Sequence, residues 1–341
     1  LSPLRLLHAR ALPPTHSSPH ARMASLRSTF PALAALAVAG CAELKMAPAE
    51  EYPVTAQRVI LISIDGARAD ALPHLSTVSS LTGRAVWTDA MQTVLPALTL
   101  PAHLSMLSGR DVTQYGITQN EMDAGIAAVM RLNGMTPMFE WARVADMRSA
   151  AVAGMSLIPA AQRAEAQAFF GVDTLVATDG DAPAPAGAAS ALLRADTSVQ
   201  MMFIHFPDAD FAGHTYGWIG SDGAHTPAYR AALARVDSAI ATLWNEIASS
   251  VDAGHTALIV TADHGGGHGD GCNTGEVPTH THCTAHAGDH LVPFVLVAKD
   301  ATPARLTGDV TITQVAPTVG ALLGLPFPER VARPVELGGT Q

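Results

Sequence analysis

Three short runs of β-prone apolar residues each lead straight into carboxylates, and this constrains the fold more than anything else in the chain. RVILISI precedes Asp65, MMFIHF precedes Pro207-Asp208-Ala209-Asp210, and TALIVT precedes Ala262-Asp263-His264. The stretches 59–64, 201–206 and 256–261 are almost continuously apolar rather than alternating, as expected of strands buried on both faces of a largely parallel sheet. AVWTDAMQ, AAVAG, TLVAT and PFVLVA read as further strands. Helical stretches lie between them, the clearest being 226–250, with Thr226-Pro227 as cap and first-turn residue. This alternation predicts an α/β fold, a three-layer αβα sandwich around a mostly parallel central sheet, over residues 58–341. No internal repeat is visible, and the Ala/Pro/Gly-rich segment 180–190 reads as a surface connection.

In open α/β sheets, ligands gather at the carboxyl ends of the strands, so the polar residues placed there decide the chemistry. Here they are Asp65-Gly66, then Asp208, Asp210 and His214, then Asp263-His264-Gly265. A single Asp-Gly or Asp-His is an ordinary turn or cap. Three strands delivering carboxylates and imidazoles to one edge have the composition of a site for two metal ions. Histidine is concentrated accordingly, with seven of the twelve after residue 41 falling between His255 and His290.

Charge excludes other classes. Residues 1–41 hold four Arg and no acidic residue, which leaves 16 basic residues against 30 acidic in the remainder. That balance argues against a nucleic-acid groove or a polybasic membrane patch, both of which need a positive field. An anionic substrate would need positive charge from elsewhere, and bound metal is the candidate. No apolar run reaches the ~18 residues that span a bilayer. At 48% hydrophobic and 15% charged the chain is not disordered.

The N-terminal region reads as an address. MASLRSTFPALAALAVAGC, Met23 to Cys41, has the charged start, short apolar run and small residues of a signal peptide. Its end, VAGC, resembles the bacterial lipobox, in which the Cys becomes the lipidated first residue. Leu1 to Arg22 read as translated upstream sequence, and 42–57 as a tether. The expected location is the periplasm or cell envelope, with membrane contact through the lipid at Cys41 alone. Export implies an oxidising compartment, so Cys272 and Cys283 are expected to form a disulfide, with thiolate zinc ligation as the rival.

With these residues in view, the chain resembles the alkaline phosphatase superfamily, and within it the type I phosphodiesterase/nucleotide pyrophosphatase family. The resemblance is carried by VILISIDG at 59–66, LTLPAHLSMLSG at 98–109, YGITQN at 115–120, DFAGHTYG at 210–217, TADHGG at 261–266 and ITQVAPTVGALLGLPFP at 312–328. It implies two zinc ions above the sheet and Thr99 as nucleophile. It further implies Asp65, Asp263 and His264 on one ion, with the Thr99 oxygen, and Asp210 and His214 on the other. The third ligand of the second ion is expected just ahead of the last strand, where His286 is favoured over His290, His282 and His280; His268 is open. Asn120 would donate to a phosphoryl oxygen, a neutral donor suited to a diester.

The residue types have their own logic. A threonine hydroxyl is a poor nucleophile, and no His-Asp relay surrounds Thr99, so a metal has to stabilise its alkoxide. Pro101 near a helix start leaves backbone N–H groups towards an anion; an ordinary N-cap is the alternative reading of Thr99. His103 is expected to pack or hydrogen-bond behind the loop, and Asp208 to support a turn. The expected substrate is a small phosphate ester. A phosphomonoesterase of the same fold, a non-catalytic periplasmic binding lipoprotein and a phosphomutase-like transferase are the alternatives. Sulfatase chemistry is disfavoured, because Thr99-Leu100-Pro101-Ala102-His103 lacks the Cys or Ser that such enzymes convert to formylglycine.

Overall fold

A computed structural model describes residues 46–47, 52–53, 55–120, 133–154, 166–167, 170–272 and 275–337. The leader and lipobox lie outside these residues. The strands in chain order are β1 (Met46–Ala47), β2 (Arg58–Ile64), β3 (Val86–Gln92), β4 (Arg148–Gly154), β5 (Thr174–Thr178), β6 (Val199–Phe206), β7 (Thr256–Thr261), β8 (Leu291–Val297), β9 (Ala304–Arg305) and β10 (Phe327–Pro328). β2 to β9 form one sheet in the order β5-β4-β6-β2-β7-β8-β3-β9. Every pairing is parallel except those of β8 with β7 and β3, so β8 alone runs against the rest.

The apolar runs occupy the middle of that sheet. From Val59 to Ile64 every residue of β2 is buried, as is every residue of β7, because helices cover both faces. The long helix Pro227–Asp252 begins where Thr226 Oγ1 accepts from the Tyr229 N–H and Pro227 fills the first turn. It lays a stripe including Leu233, Val236, Ile240, Leu243 and Ile247 on the sheet. The segment expected as a surface connection is instead the start of a helix, Pro183–Ala195. Proline is tolerated in a first helical turn and the alanines favour helix, so the turn-like composition misleads.

Part of the expected tether is laid on the domain. β1 pairs antiparallel with β10, Ala56 N–H donates to Leu322 O at 2.8 Å, and Tyr52 hydrogen-bonds to the Val335 carbonyl.

Topology explains the site. β6, β2 and β7 are neighbours, so their carboxyl ends bring Asp65, the 208–214 segment and Asp263-His264 to one place. β3 points the same way and its exit leads to Thr99. Because β8 is reversed, its entrance rather than its exit lies at this edge, which brings the segment 275–290 ahead of it there too.

Candidate metal and catalytic site

Asp65 follows β2 and is fully buried, and Gly66 turns the chain away from it with φ of +72°. A Cβ on Gly66 would stand 2.7 Å from the Asp210 Cα, so this turn accepts only glycine. The close approach lets Asp210 N–H donate to Asp65 O at 2.9 Å, locking the helix Asp208–Tyr216 over β2. One turn of that helix separates Asp210 from His214, which places both on one face.

The structure brings together Asp65, Asp210, His214, Asp263, His264 and Thr99. His286 does not join them: its ring stacks on His268 at 3.5 Å and its Nδ1 accepts from Gly288 N–H, capping a short helix. His282 takes the place expected for His286. Its Nε2 lies 3.2 Å from His214 Nε2 and 3.6 Å from Asp210 Oδ1, and ligand atoms of the three residues all lie within 4.8 Å of one another. Asp65, Asp210 and His264 form a second such group, so Asp210 adjoins both. Asp263 stands beside the second, its Oδ2 3.2 Å from His264 Nε2 and its Oδ1 accepting from Gly66 N–H.

The donor atoms are presented for a cation. His214, His264 and His282 each direct Nδ1 at a backbone carbonyl, of His280 at 2.8 Å, Gly265 at 2.7 Å and Ala97 at 2.6 Å. A nitrogen that donates to a carbonyl carries the proton, so each Nε2 keeps its lone pair for the site. Asp65 Oδ1, Asp210 Oδ1 and Asp263 Oδ2 are buried without a hydrogen-bond partner. Buried carboxylate oxygens without a hydrogen bond are costly, and among the described residues no Lys or Arg pairs with these three, Asp263 Oδ2 having only the imidazoles of His103 and His264 at 3.2 Å. Three buried carboxylate oxygens, from Asp65, Asp263 and the half-buried Asp210, facing three imidazole lone pairs fit one or two divalent cations.

The electrostatics agree. Burial, followed by repulsion from Asp263 and Asp210, pushes the Asp65 carboxyl well above the usual range. Burial raises Asp210 as well, against the pull of His282 and His214. Burial would raise Asp263, but His264 and His103 hold it below the ordinary value. Burial lowers His282 to about 4, keeping the imidazole neutral as a ligand must be.

Several further residues support the site, of which Trp218 is not legible in the sequence. His103 is buried behind Thr99, within 3.0 Å of Ser63 Oγ and 2.9 Å of the Thr99 carbonyl, as expected. Trp218 fills the space over Gly213 and Gly266, where a Cβ on either glycine would fall within 2.3 Å of its ring. It stands edge-on to His214 and His282. Cys272 and Cys283 are joined in a disulfide, beside His282 in sequence. Asp208, expected to support the turn after its strand, instead opens the helix Asp208–Tyr216 and accepts from Ala182 N–H at the start of the helix Pro183–Ala195.

Asp289 organises the segment carrying His282. It is fully buried, and its carboxylate accepts from the N–H groups of His268, Cys283 and Thr284 and from Thr284 Oγ1. Asp289→Ala leaves those donors unpaired, so a loss of about 3 kcal/mol in unfolding free energy is expected, measured by urea denaturation.

Thr99 opens the helix Thr99–Ser108, whose other nine residues are all buried. Thr99 Oγ1 is 3.0 Å from His264 Nε2, the lone-pair nitrogen, to which the hydroxyl donates. The helix start offers fewer anion donors than its sequence suggests. Pro101 has no N–H, Ala102 N–H is taken by Leu98 O, and Leu100 N–H donates to Asn120 Oδ1 at 3.0 Å. That last bond brings Asn120 to the start of the helix that Thr99 opens and turns its oxygen to the backbone, leaving the amide NH2 as the donor end.

The comparison with protein families meets this geometry. The model for type I phosphodiesterase / nucleotide pyrophosphatase matches residues 59–292, a span that contains every site residue described above. The chain belongs to that family. Murine ectonucleotide pyrophosphatase / phosphodiesterase 5, solved as an inactive Thr→Ala variant in complex with AMP, shares the fold of this family member. Its TM-score is 0.60 at 15% identity, over 81% of this chain and 97% of that one. The lipoteichoic acid synthase LtaP of Listeria monocytogenes gives 0.59 at 14% identity, over 83% of this chain and 76% of that one. These are alkaline-phosphatase-like α/β folds. A 2,3-bisphosphoglycerate-independent phosphoglycerate mutase of Clostridium tetani is 30% identical over 131 residues, 38% of this chain. The stretch it shares with this phosphodiesterase-family chain spans only 22% of the mutase's length.

Proposed function

We propose that this chain is a metal-dependent phosphoric ester hydrolase that cleaves phosphodiesters, with Thr99 as nucleophile. The observation that carries the reading is the convergence of three unpartnered carboxylate oxygens and three imidazole lone pairs beside the Thr99 hydroxyl. Asp65, Asp263 and His264 would hold one ion next to Thr99, and Asp210, His214 and His282 the other, with Asp210 near both; zinc suits this nitrogen- and carboxylate-rich set. Ions so held supply Lewis acidity, lowering the pKa of a nearby hydroxyl and offsetting phosphoryl charge.

The chain's own residues do the rest. Thr99 gives up its hydroxyl proton as Oγ1 attacks phosphorus in line, the ester bond to the leaving group breaks, that oxygen takes a proton from water and departs as the alcohol, and phosphothreonine results. Water then attacks from the vacated side and frees Thr99. Asn120 donates its NH2 to a non-bridging oxygen. A neutral donor suits the single charge of a diester better than the double charge of a monoester. The alanine variant of the murine structure is described as inactive, which supports a threonine nucleophile.

Hydrolysis of bis-p-nitrophenyl phosphate beside p-nitrophenyl phosphate tests the reading, using protein from Ala42 onward. Faster diester cleavage, lost on chelation and restored by zinc, is expected. A monoester preference would overturn the diesterase assignment in favour of a phosphomonoesterase with the same metal site.

The Met23–Cys41 leader and the disulfide support an exported, lipid-anchored protein. Among the described residues no helix is long and apolar enough to cross a membrane. Labelled palmitate should enter the wild-type chain and not Cys41→Ser; equal labelling would sink the anchor.

A further inference from the structure

His205 lies inside the apolar run of β6, opposite Ser63 of β2, with none of its surface exposed. An imidazole buried so completely is costly unless both nitrogens are paired. Both are. Gly154 N–H, at the end of β4, donates to Nδ1 at 3.2 Å, so Nδ1 carries no proton. The proton of the neutral ring is therefore on Nε2, which donates to Asp65 Oδ2 at 2.9 Å. The two Asp65 oxygens are thereby made unequal: Oδ2 is occupied from behind, and Oδ1 is left unpartnered 3.4 Å from His264 Nε2.

We infer that His205 is a positioning residue that presents Asp65 to the metal site through Oδ1 alone. β4, β6 and β2 together fix its tautomer. Gly154 belongs to this device. A Cβ there would lie 2.8 Å from Pro207 and 3.3 Å from His205 Nδ1, so the close approach of backbone to ring requires glycine. Without the Nε2–H, the Asp65 carboxylate is free to rotate, to share a proton with Asp263, or to take the ion through both oxygens. This inference rests on the metal reading above.

Two polar replacements separate the hydrogen bonds. Glutamine places an amide N–H where His205 Nε2 stands and so can still reach Asp65, while giving up the Gly154 bond. Asparagine places its amide near Nδ1; it can keep the Gly154 bond and falls short of Asp65. The measurement is zinc stoichiometry and affinity of the purified, substrate-free protein, by competition with a chromophoric chelator. Wild type is expected to hold two zinc ions. His205→Asn should bind one of them 10- to 100-fold more weakly, the range for loss of an outer-shell partner. His205→Gln should stay within about threefold of wild type, since it retains the bond that matters. Urea unfolding of the metal-free variants, expected to be similar, separates a folding defect from a loss of affinity. Wild-type affinity in His205→Asn, or equal loss in both variants, would overturn the assignment. Failure of wild type to bind zinc would instead overturn the metal reading itself.

Discussion

Thr99→Ala should abolish turnover while leaving metal binding intact. The side chain lost is one hydroxyl at the first position of a buried helix whose remaining residues pack without it, so the fold has little reason to change. The three carboxylates and three imidazoles stay where β2, β6, β7 and the 275–290 segment place them. What disappears is the atom proposed to form the covalent intermediate. Loss of such a nucleophile costs on the order of 10⁴-fold or more in kcat, because the remaining groups polarise the phosphate without attacking it. Thr99→Ser, which keeps an oxygen but frees its rotamer, should retain a measurable fraction of the rate. Rapid quenching with a phosphorus-labelled diester should label wild type at Thr99 and leave the alanine variant unlabelled. Activity of Thr99→Ala within tenfold of wild type would mean that water, not threonine, attacks first.

Much of this arrangement is legible in the residues. Continuous apolar runs ending in Asp define β2, β6 and β7, because doubly buried strands need unbroken hydrophobicity and site residues collect at their exits. The spacing of Asp210 and His214 is a local helical property, so it too survives in the sequence. The identity of the third imidazole does not. Between Gly265 and His290 five histidines share one loop, and which of them turns inward depends on long-range constraints. The Cys272–Cys283 disulfide, the four hydrogen bonds to Asp289 and the carbonyl of Ala97 fix the path of His282. None of these is local to the choice. His205 is hidden for the opposite reason. It sits inside a strand read as apolar, where only the register with Ser63 and the approach of Gly154 show that its ring faces Asp65.

His282→Ala and His286→Ala should therefore behave very differently, although the two residues are four apart in one loop. His282 is 2% exposed, its Nδ1–H is fixed by Ala97 O, and its Nε2 faces His214 and Asp210. Removing the ring takes a neutral lone-pair donor from the set proposed for one ion. Since even outer-shell partners are worth 10–100-fold in metal affinity, loss of an inner ligand should weaken that ion by more than about 100-fold. Metal analysis after dialysis should find about one ion per chain. Diesterase activity should fall by a similar factor and recover only in part with excess zinc. His286 offers the opposite case. Its Nδ1 accepts from Gly288 N–H, its ring lies on His268, and it belongs to neither group of clustered ligand atoms. Its loss removes a helix cap worth about 1 kcal/mol of stability and no ligand. Two ions and near wild-type turnover are expected. If His286→Ala loses a metal and His282→Ala does not, the loop holds its ion by the other histidine and the grouping of Asp210, His214 and His282 is not the binding site.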